Sequence, residues 1–481
     1  MNVLKTYFLI IVVLITIITG CFKKQVVTKT SEQTETTTEI KPTVKTNKPV
    51  ELKEPITAIN TDVPKWSKDA IMYEVNIRQY SPEGTFKAVE KDLDRIKKLG
   101  VDILWLMPIH PIGDAKRKGS LGSYYAVKDY KAVNPGFGTL QDFKDLVEAC
   151  HAIDLKLIID WVPNHTAWDN PWITENPSWY TQDEDGNIID PTNPETGESW
   201  GWTDVADLNY DNSNMRAAML SAMKFWVAET NIDGFRCDVA HNVPFDFWHK
   251  VNAELKQIKP IFMLAEAEGT DFHKNGFHQT YAWELHHLLN EVAKGEKPVN
   301  EIASYLTKNE KEYGKAAYRL NFITNHDENS WSGTIFERMG GGHKAFAALT
   351  YLIPGMPLIY NGQEAPLKKR LEFFEKDAID WNNYAYTEFY QKLNMLKKAN
   401  AALWNGAYGG DFVLIDNTTK NMVLSFERTH KNGNKVLAVF NLTNKTVKTE
   451  IKNDLFVKRN KSSHVELTPF EYLVFSTNEL Q

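Results

Sequence analysis

From about Trp66 onward, short apolar runs alternate with stretches whose apolar residues recur every three or four positions. The first pattern predicts strands and the second amphipathic helices. AIMYEVNIRQYS reads as strand one, DILWLMP as strand two and KLIIDWV as strand three. GFRCDVA, IFMLAEA, TYAWEL, YRLNFITNHD and PLIYNGQE continue the series to eight. Between them lie FKAVEKDLDRIKKLG, LQDFKDLVEACHAI, NMRAAMLSAMKFWVAET, DFWHKVNAELKQI and HKAFAALTYL, all with helical spacing. Strands alternating with helices imply parallel pairing through crossovers. Eight such units predict a closed (β/α)8 (TIM) barrel over residues 63–398.

Two regions break that rhythm. Residues 163–212, after strand three, form a long segment rich in Trp, Asp, Asn, Pro and Gly. A connection of this length is expected to carry function, and it reads as a subdomain inserted over the barrel mouth. Its Trp168, Trp172, Trp179, Trp200 and Trp202 could stack on sugar rings, although more than half are expected to build the insert's own core. Over 399–481 the pattern becomes DFVLID, NMVLSFERT, KVLAVFNL, VKTEIK and FEYLVFS, short strands with turn signals between them. This reads as a separate C-terminal antiparallel β-sandwich.

Bulk composition narrows the function classes. The formal net charge of -7 over 481 residues, with no basic stripe, argues against nucleic acid as a partner. Cys21, Cys150 and Cys237 form no cluster, so neither a disulfide framework nor a zinc site is expected. Cys150 and Cys237 read as small buried hydrophobes. The run Phe8 to Ile18, broken only by Thr16, is short for a membrane span and fits a secretory h-region. It ends in Ile18-Thr19-Gly20-Cys21, which resembles a bacterial lipobox. Residues 1–21 are therefore expected to be a lipoprotein signal, with lipid carried on Cys21. Residues 22–62, rich in Thr, Lys, Glu and Pro, are expected to be a flexible tether. Together they imply an exported bacterial lipoprotein of the cell envelope, at the outer membrane on its periplasmic or surface face.

The chemistry gathers where barrel strands end. GFRCD places Arg236 and Asp238 two residues apart, the side-chain repeat of a strand, so they point the same way. Arg beside Asp holds the carboxylate ionised. On these five residues alone, a salt bridge that only fixes packing explains the pair equally well. Other predicted strand ends supply Asp160, Asn164 and His165, then Glu266, then Asn325, His326 and Asp327. Active sites of such barrels form at this face. Asp238, Glu266 and Asp327 at one mouth are what glycoside hydrolysis requires, one carboxylate attacking the sugar and another protonating the leaving oxygen.

These segments resemble the α-amylase superfamily of retaining α-glycoside hydrolases and transglycosidases. DWVPNH, GFRCD, LAEA and FITNHD resemble its four signature segments, and LGVDILWLMPIHPIG, ADLN and GMPLIYNGQE match further. The resemblance implies Asp238 as nucleophile, Glu266 as acid/base and Asp327 as transition-state stabiliser. It also implies substrate contacts from Tyr125, Asp160, His165, Arg236 and His326, with Tyr125 of YYAVKDY stacking on the reacting sugar. Retention of configuration is expected, with nucleophile and acid carboxyls roughly 5–5.5 Å apart. The implied substrate is an α-glucan or maltooligosaccharide cleaved mainly at α-1,4 bonds. A glucanotransferase or α-1,6-acting relative is the alternative, and a non-catalytic glycan-binding protein is a third reading. A structural Ca2+ is implied at Asn164, Asp207 and the carbonyl of Asn242, with no organic cofactor. Where many α-amylases carry Lys-His after the nucleophile, this chain has His241 and Asn242.

Overall fold

The computed structural model describes residues 62–193 and 196–478. The predicted signal, with Cys21, and the predicted tether up to residue 61 lie outside the described residues. Eight parallel strands close a barrel: β1 (Met72–Val75), β2 (Ile103–Leu106), β3 (Lys156–Trp161), β4 (Gly234–Cys237), β5 (Phe262–Ala265), β6 (Gln279–Tyr281), β7 (Tyr318–Asn321) and β8 (Met356–Tyr360). Strand alternation divides each strand between two environments. Met72, Ile103, Trp105, Ile158, Leu264, Tyr281 and Leu320 fill the barrel interior. Tyr73, Leu104, Leu157, Phe235 and Met263 join the larger core that also takes in the surrounding helices. The same alternation turns Glu74, Asp160 and Arg236 inward, and the β3–β4 register sets Asp160 opposite Arg236.

Strand one is shorter than its apolar run. Asn76 caps a helical turn, Ile77–Tyr80, by accepting from the Gln79 amide, so the extended segment stops at Val75. At the start of β4 the chains approach so closely that a Cβ on Gly234 would sit 1.9 Å from the carbonyl oxygen of Phe262. That oxygen is backbone and cannot move aside. Gly234→Ala is therefore expected to destabilise the fold by about 3 kcal/mol or more, read as a lower urea midpoint. A midpoint equal to wild type would contradict the strand packing.

The insert contains a two-stranded sheet, His165–Ala167 paired antiparallel with Val205–Asp207. Beyond Asn400 a four-stranded antiparallel sheet runs in the order Asp411–Leu414, Val423–Thr429, Lys435–Asn441 and Tyr472–Ser476. It is less separate than its sequence suggests. Leu424, Phe426, Val436, Ala438 and Phe440 on one face join the main core. Val423, Leu437 and Val439 on the other pack with Val447, Ile451, Phe456 and Leu467. Val447 and Leu467 lie on a small second sheet, Phe456 on the helix Asp454–Asn460, and Ile451 between the two. Cys150 and Cys237 are buried free thiols, as expected.

Candidate active site

A cleft of about 480 Å³ opens at the C-terminal end of the barrel strands. Tyr125, His165, Asp238, Glu266, His326 and Asp327 line it, with Trp202 from the insert. Its floor is organised by Arg236, which is fully buried at the end of β4. Arg236 Nη1 donates to Asp160 Oδ1 at 2.9 Å and to Asp238 Oδ1 at 2.8 Å. Nη2 pairs with Glu266 Oε1 at 2.7 Å, and Nε donates to the Tyr281 hydroxyl at 3.2 Å. One guanidinium thus serves three carboxylates from three consecutive strand ends, a task that its planar fork suits.

The balance of charge decides the protonation. Burial pushes the Asp238 carboxyl above its ordinary value, and Arg236 offsets only part of that rise. Desolvation opposes the ionised form of Asp238, and Arg236 favours it. Burial also raises Glu266; Arg236 opposes the rise and the neighbouring Asp238 charge adds to it. Asp160, wholly enclosed, is pushed up to about 8. Asp238 and Glu266 are both held by Arg236, so the two carboxyls are neighbours. A proton on Glu266 fits this arrangement, because two ionised carboxylates would repel.

The residue after Asp238 is in an unusual conformation. Val239 has φ 42° and ψ 43°, a left-handed backbone that a β-branched residue rarely takes. This bend aims its amide N–H at Glu266 Oε2, 2.8 Å away.

Opposite these groups, Tyr125 Oη bonds Asp160 Oδ2 at 3.2 Å and His326 Nε2 at 2.7 Å. His326 Nδ1 bonds Glu74 Oε1 at 2.5 Å, and Nε2 lies 3.2 Å from Asp327 Oδ2. Burial lowers the His326 pKa, but Asp327 and Glu74 outweigh it and lift the imidazole to about 9. His165 has no such partner at hydrogen-bond distance, and burial lowers it to about 4. One imidazole is thus charged at neutral pH and the other is not. Stability contributed by charged His326 is fully present below about 6.5, the ordinary His value, and is lost as pH rises through about 9. Glu74→Gln removes one of its two anions. The alkaline limb of the kcat/KM profile should then move about one pH unit towards acid. An unmoved limb would show that Glu74 does not hold this proton.

The structure therefore brings Tyr125, Asp160, His165, Arg236, Asp238, Glu266, His326 and Asp327 around one cavity. Asn164 bonds His165 Nδ1 through Nδ2 at 3.1 Å, and its carbonyl accepts from Leu208 N. Asp207 Oδ2 accepts from the Thr181 hydroxyl at 2.6 Å. Burial lifts Asp207 to about 6, against the Thr181 hydrogen bond that lowers it. Asn242 closes the turn Ala240–Asn242, and its Oδ1 is buried without a hydrogen-bond partner. Among the described residues, no group of three His, Cys, Asp or Glu side chains is placed to hold a metal ion.

The expected role of the insert's tryptophans divides. Trp168, Trp172 and Trp179 pack against the core. Trp202 packs there too but also faces the cleft, and Trp200 stacks on it with 5.9 Å between ring centres. Lys118 ties this wall down, with Nζ 2.9 Å from Asp204 Oδ1. Sequence reading missed Glu74, Lys118, Asp204, Val239, Trp331, Phe373 and Phe374. Only Glu74 left a signal, as a charge inside an apolar strand. The others depend on loops whose meeting no local pattern encodes.

A parallel eight-stranded barrel with clustered carboxylates at its mouth defines an enzyme acting on O-glycosyl bonds. Comparison with known proteins agrees. The family described as Alpha amylase, catalytic domain, matches residues 54–405. The chain belongs to this α-amylase family. Alpha-amylase 3 of Dictyoglomus thermophilum is 28% identical over 358 residues, 66% of this chain and 68% of that protein. Cyclomaltodextrin glucanotransferase of Bacillus sp. (strain 1011) is 27% identical over 387 residues, 71% of this chain but only 51% of that protein. The crystal structure of a noncanonic maltogenic α-amylase from Thermotoga neapolitana superposes with a TM-score of 0.74 at 27% identity. That match covers 86% of this chain and 97% of the other.

Proposed function

We propose that this enzyme hydrolyses α-glucosidic bonds, mainly α-1,4, in starch, maltodextrin or maltooligosaccharides, through a covalent glycosyl-enzyme. The observation that carries this reading is the grouping of Asp160, Asp238 and Glu266 on one buried guanidinium, with Asp327 across the same cleft. Asp238 attacks the anomeric carbon and forms an ester as the glycosidic bond breaks. Glu266 gives its proton to the departing oxygen. It then takes a proton from the water that cleaves the ester, which returns both carboxyls to their starting state. Retention requires about 5–5.5 Å between the Asp238 and Glu266 carboxyls, the space taken by the scissile bond. Asp327 and charged His326 hold the distorted sugar, while Tyr125 offers its ring as a floor.

Chromatography of products from starch, pullulan and defined maltooligosaccharides tests the assignment. Shorter reducing products from starch are expected. Products longer than the starting oligosaccharide would replace hydrolysis with glucanosyl transfer, and cleavage confined to pullulan would indicate α-1,6 action. Binding without any product would leave a glycan-binding protein.

Two further readings concern a metal ion and the cell envelope. Oxygen donors from Asn164, Asp207 and the Asn242 carbonyl suit Ca2+. Bound there, Ca2+ would brace the insert against the barrel mouth. The lipobox-like Ile18-Thr19-Gly20-Cys21 supports anchoring to the cell envelope through lipid on Cys21.

A further inference from the structure

Among the described residues, Trp331 is the most exposed of the large aromatic side chains, at 55%, yet it lies in the cleft wall and not on an open surface. It stands in a π-helical turn, Glu328–Ser332, that starts directly after Asp327. Such turns concentrate at functional sites. Its ring centre is 5.1 Å from Phe373 and 5.9 Å from Phe374, and both also line the cleft. Phe373 in turn lies nearly parallel to Tyr125, at 12° and 6.3 Å. A continuous aromatic strip therefore runs from the predicted floor of the reacting sugar outwards to Trp331.

The residues around Trp331 hold it in place and leave its ring uncovered. Glu328 N donates to Asn325 Oδ1 at 2.8 Å, and the Glu328 carboxylate lies 3.1 Å from His286 Nε2. Asn329 Oδ1 accepts from Leu371 N at 2.9 Å, and Ser330 Oγ donates to the Leu371 carbonyl at 2.8 Å. These bonds fasten the turn to the segment that leads into Phe373. An aromatic ring fixed by its neighbours and left in water is preorganised to receive a flat apolar face.

We propose that Trp331, backed by Phe373 and Phe374, is a stacking platform for the glucosyl unit next to the reacting sugar, on the side away from the leaving group. The side follows from topology. Glu266, the proton donor, ends β5, whereas Trp331 and Phe373 come from the loops after β7 and β8. The occupant is the same α-glucan chain that the cleft cleaves, so the proposal rests on the glycosidase reading.

Calorimetric titration of maltotriose into the Glu266→Gln protein, with and without Trp331→Ala, tests it. Loss of the platform should weaken binding about tenfold, and Trp331→Tyr should restore most of it. Equal affinities would overturn the proposal. In the background of intact Glu266, Trp331→Ala should raise KM for nitrophenyl α-maltoside with little change in kcat. A fall in kcat at constant KM would overturn it too, by showing that Trp331 acts through Asp327. If the wild-type enzyme turned over no α-glucoside at all, the glycosidase reading would fail, while the maltotriose titration would still decide the platform.

Discussion

Asp238→Asn should lower kcat on maltooligosaccharides by about four orders of magnitude or more, with the fold retained. The amide cannot attack the anomeric carbon, and no other carboxylate takes its place. Asp160 is enclosed beneath Arg236 with no exposed surface, and Asp327 lies beyond His326. Glu266→Gln should be equally damaging on natural substrates but should behave differently when the leaving group changes. A glucosyl fluoride or nitrophenyl glycoside departs without a proton, so ester formation should persist and the intermediate accumulate. The Asp238→Asn protein should gain nothing from such substrates. Burst kinetics on the two variants separates these behaviours. Near-full activity of either variant would end the assignment of both residues.

Arg236→Gln should cause the largest loss of stability, about 3–5 kcal/mol at neutral pH. The loss comes less from the broken contacts than from the three carboxylates left buried around a neutral amide. Its pH dependence has a definite sign. A buried carboxyl whose folded pKa lies above its unfolded value binds more protons when folded. The stability it contributes is present below about 4, the ordinary carboxylate range, and is lost as pH rises through the folded value. In the wild type Asp160 already titrates this way, towards about 8. Without the guanidinium, Asp160, Asp238 and Glu266 should all move further up. Urea midpoints of the variant should therefore fall more steeply between about pH 5 and pH 8 than those of wild type. A gap between the two proteins that stays constant with pH would show that Arg236 acts through packing alone. Arg236→Lys should recover little, since one ammonium cannot reach partners now held on both Nη1 and Nη2.

The barrel was legible because its signal is local. Each strand is a short apolar run and each helix an amphipathic stretch, and eight such pairs leave few topologies open. The ends of β3, β4, β5 and β7 could be searched for polar residues on that basis. The motifs DWVPNH, GFRCD, LAEA and FITNHD supplied them. Where the pattern misled, the cause was a local polar competitor. Asn76 ended β1 by capping a helical turn. The C-terminal antiparallel sheet is present as expected, and the apolar face of its central strands packs into the main core.

What the sequence alone determined was the order of the elements and the identity of the chemical groups, because both are written in spacing that a few residues carry. Only the folded chain decided which groups share a charge. One guanidinium meets three carboxylates, Glu74 reaches His326 across 252 positions of sequence, and Trp331 is fastened beside Phe373. Proton affinity depends on distance and burial, and those are properties of the closed barrel that no single segment possesses.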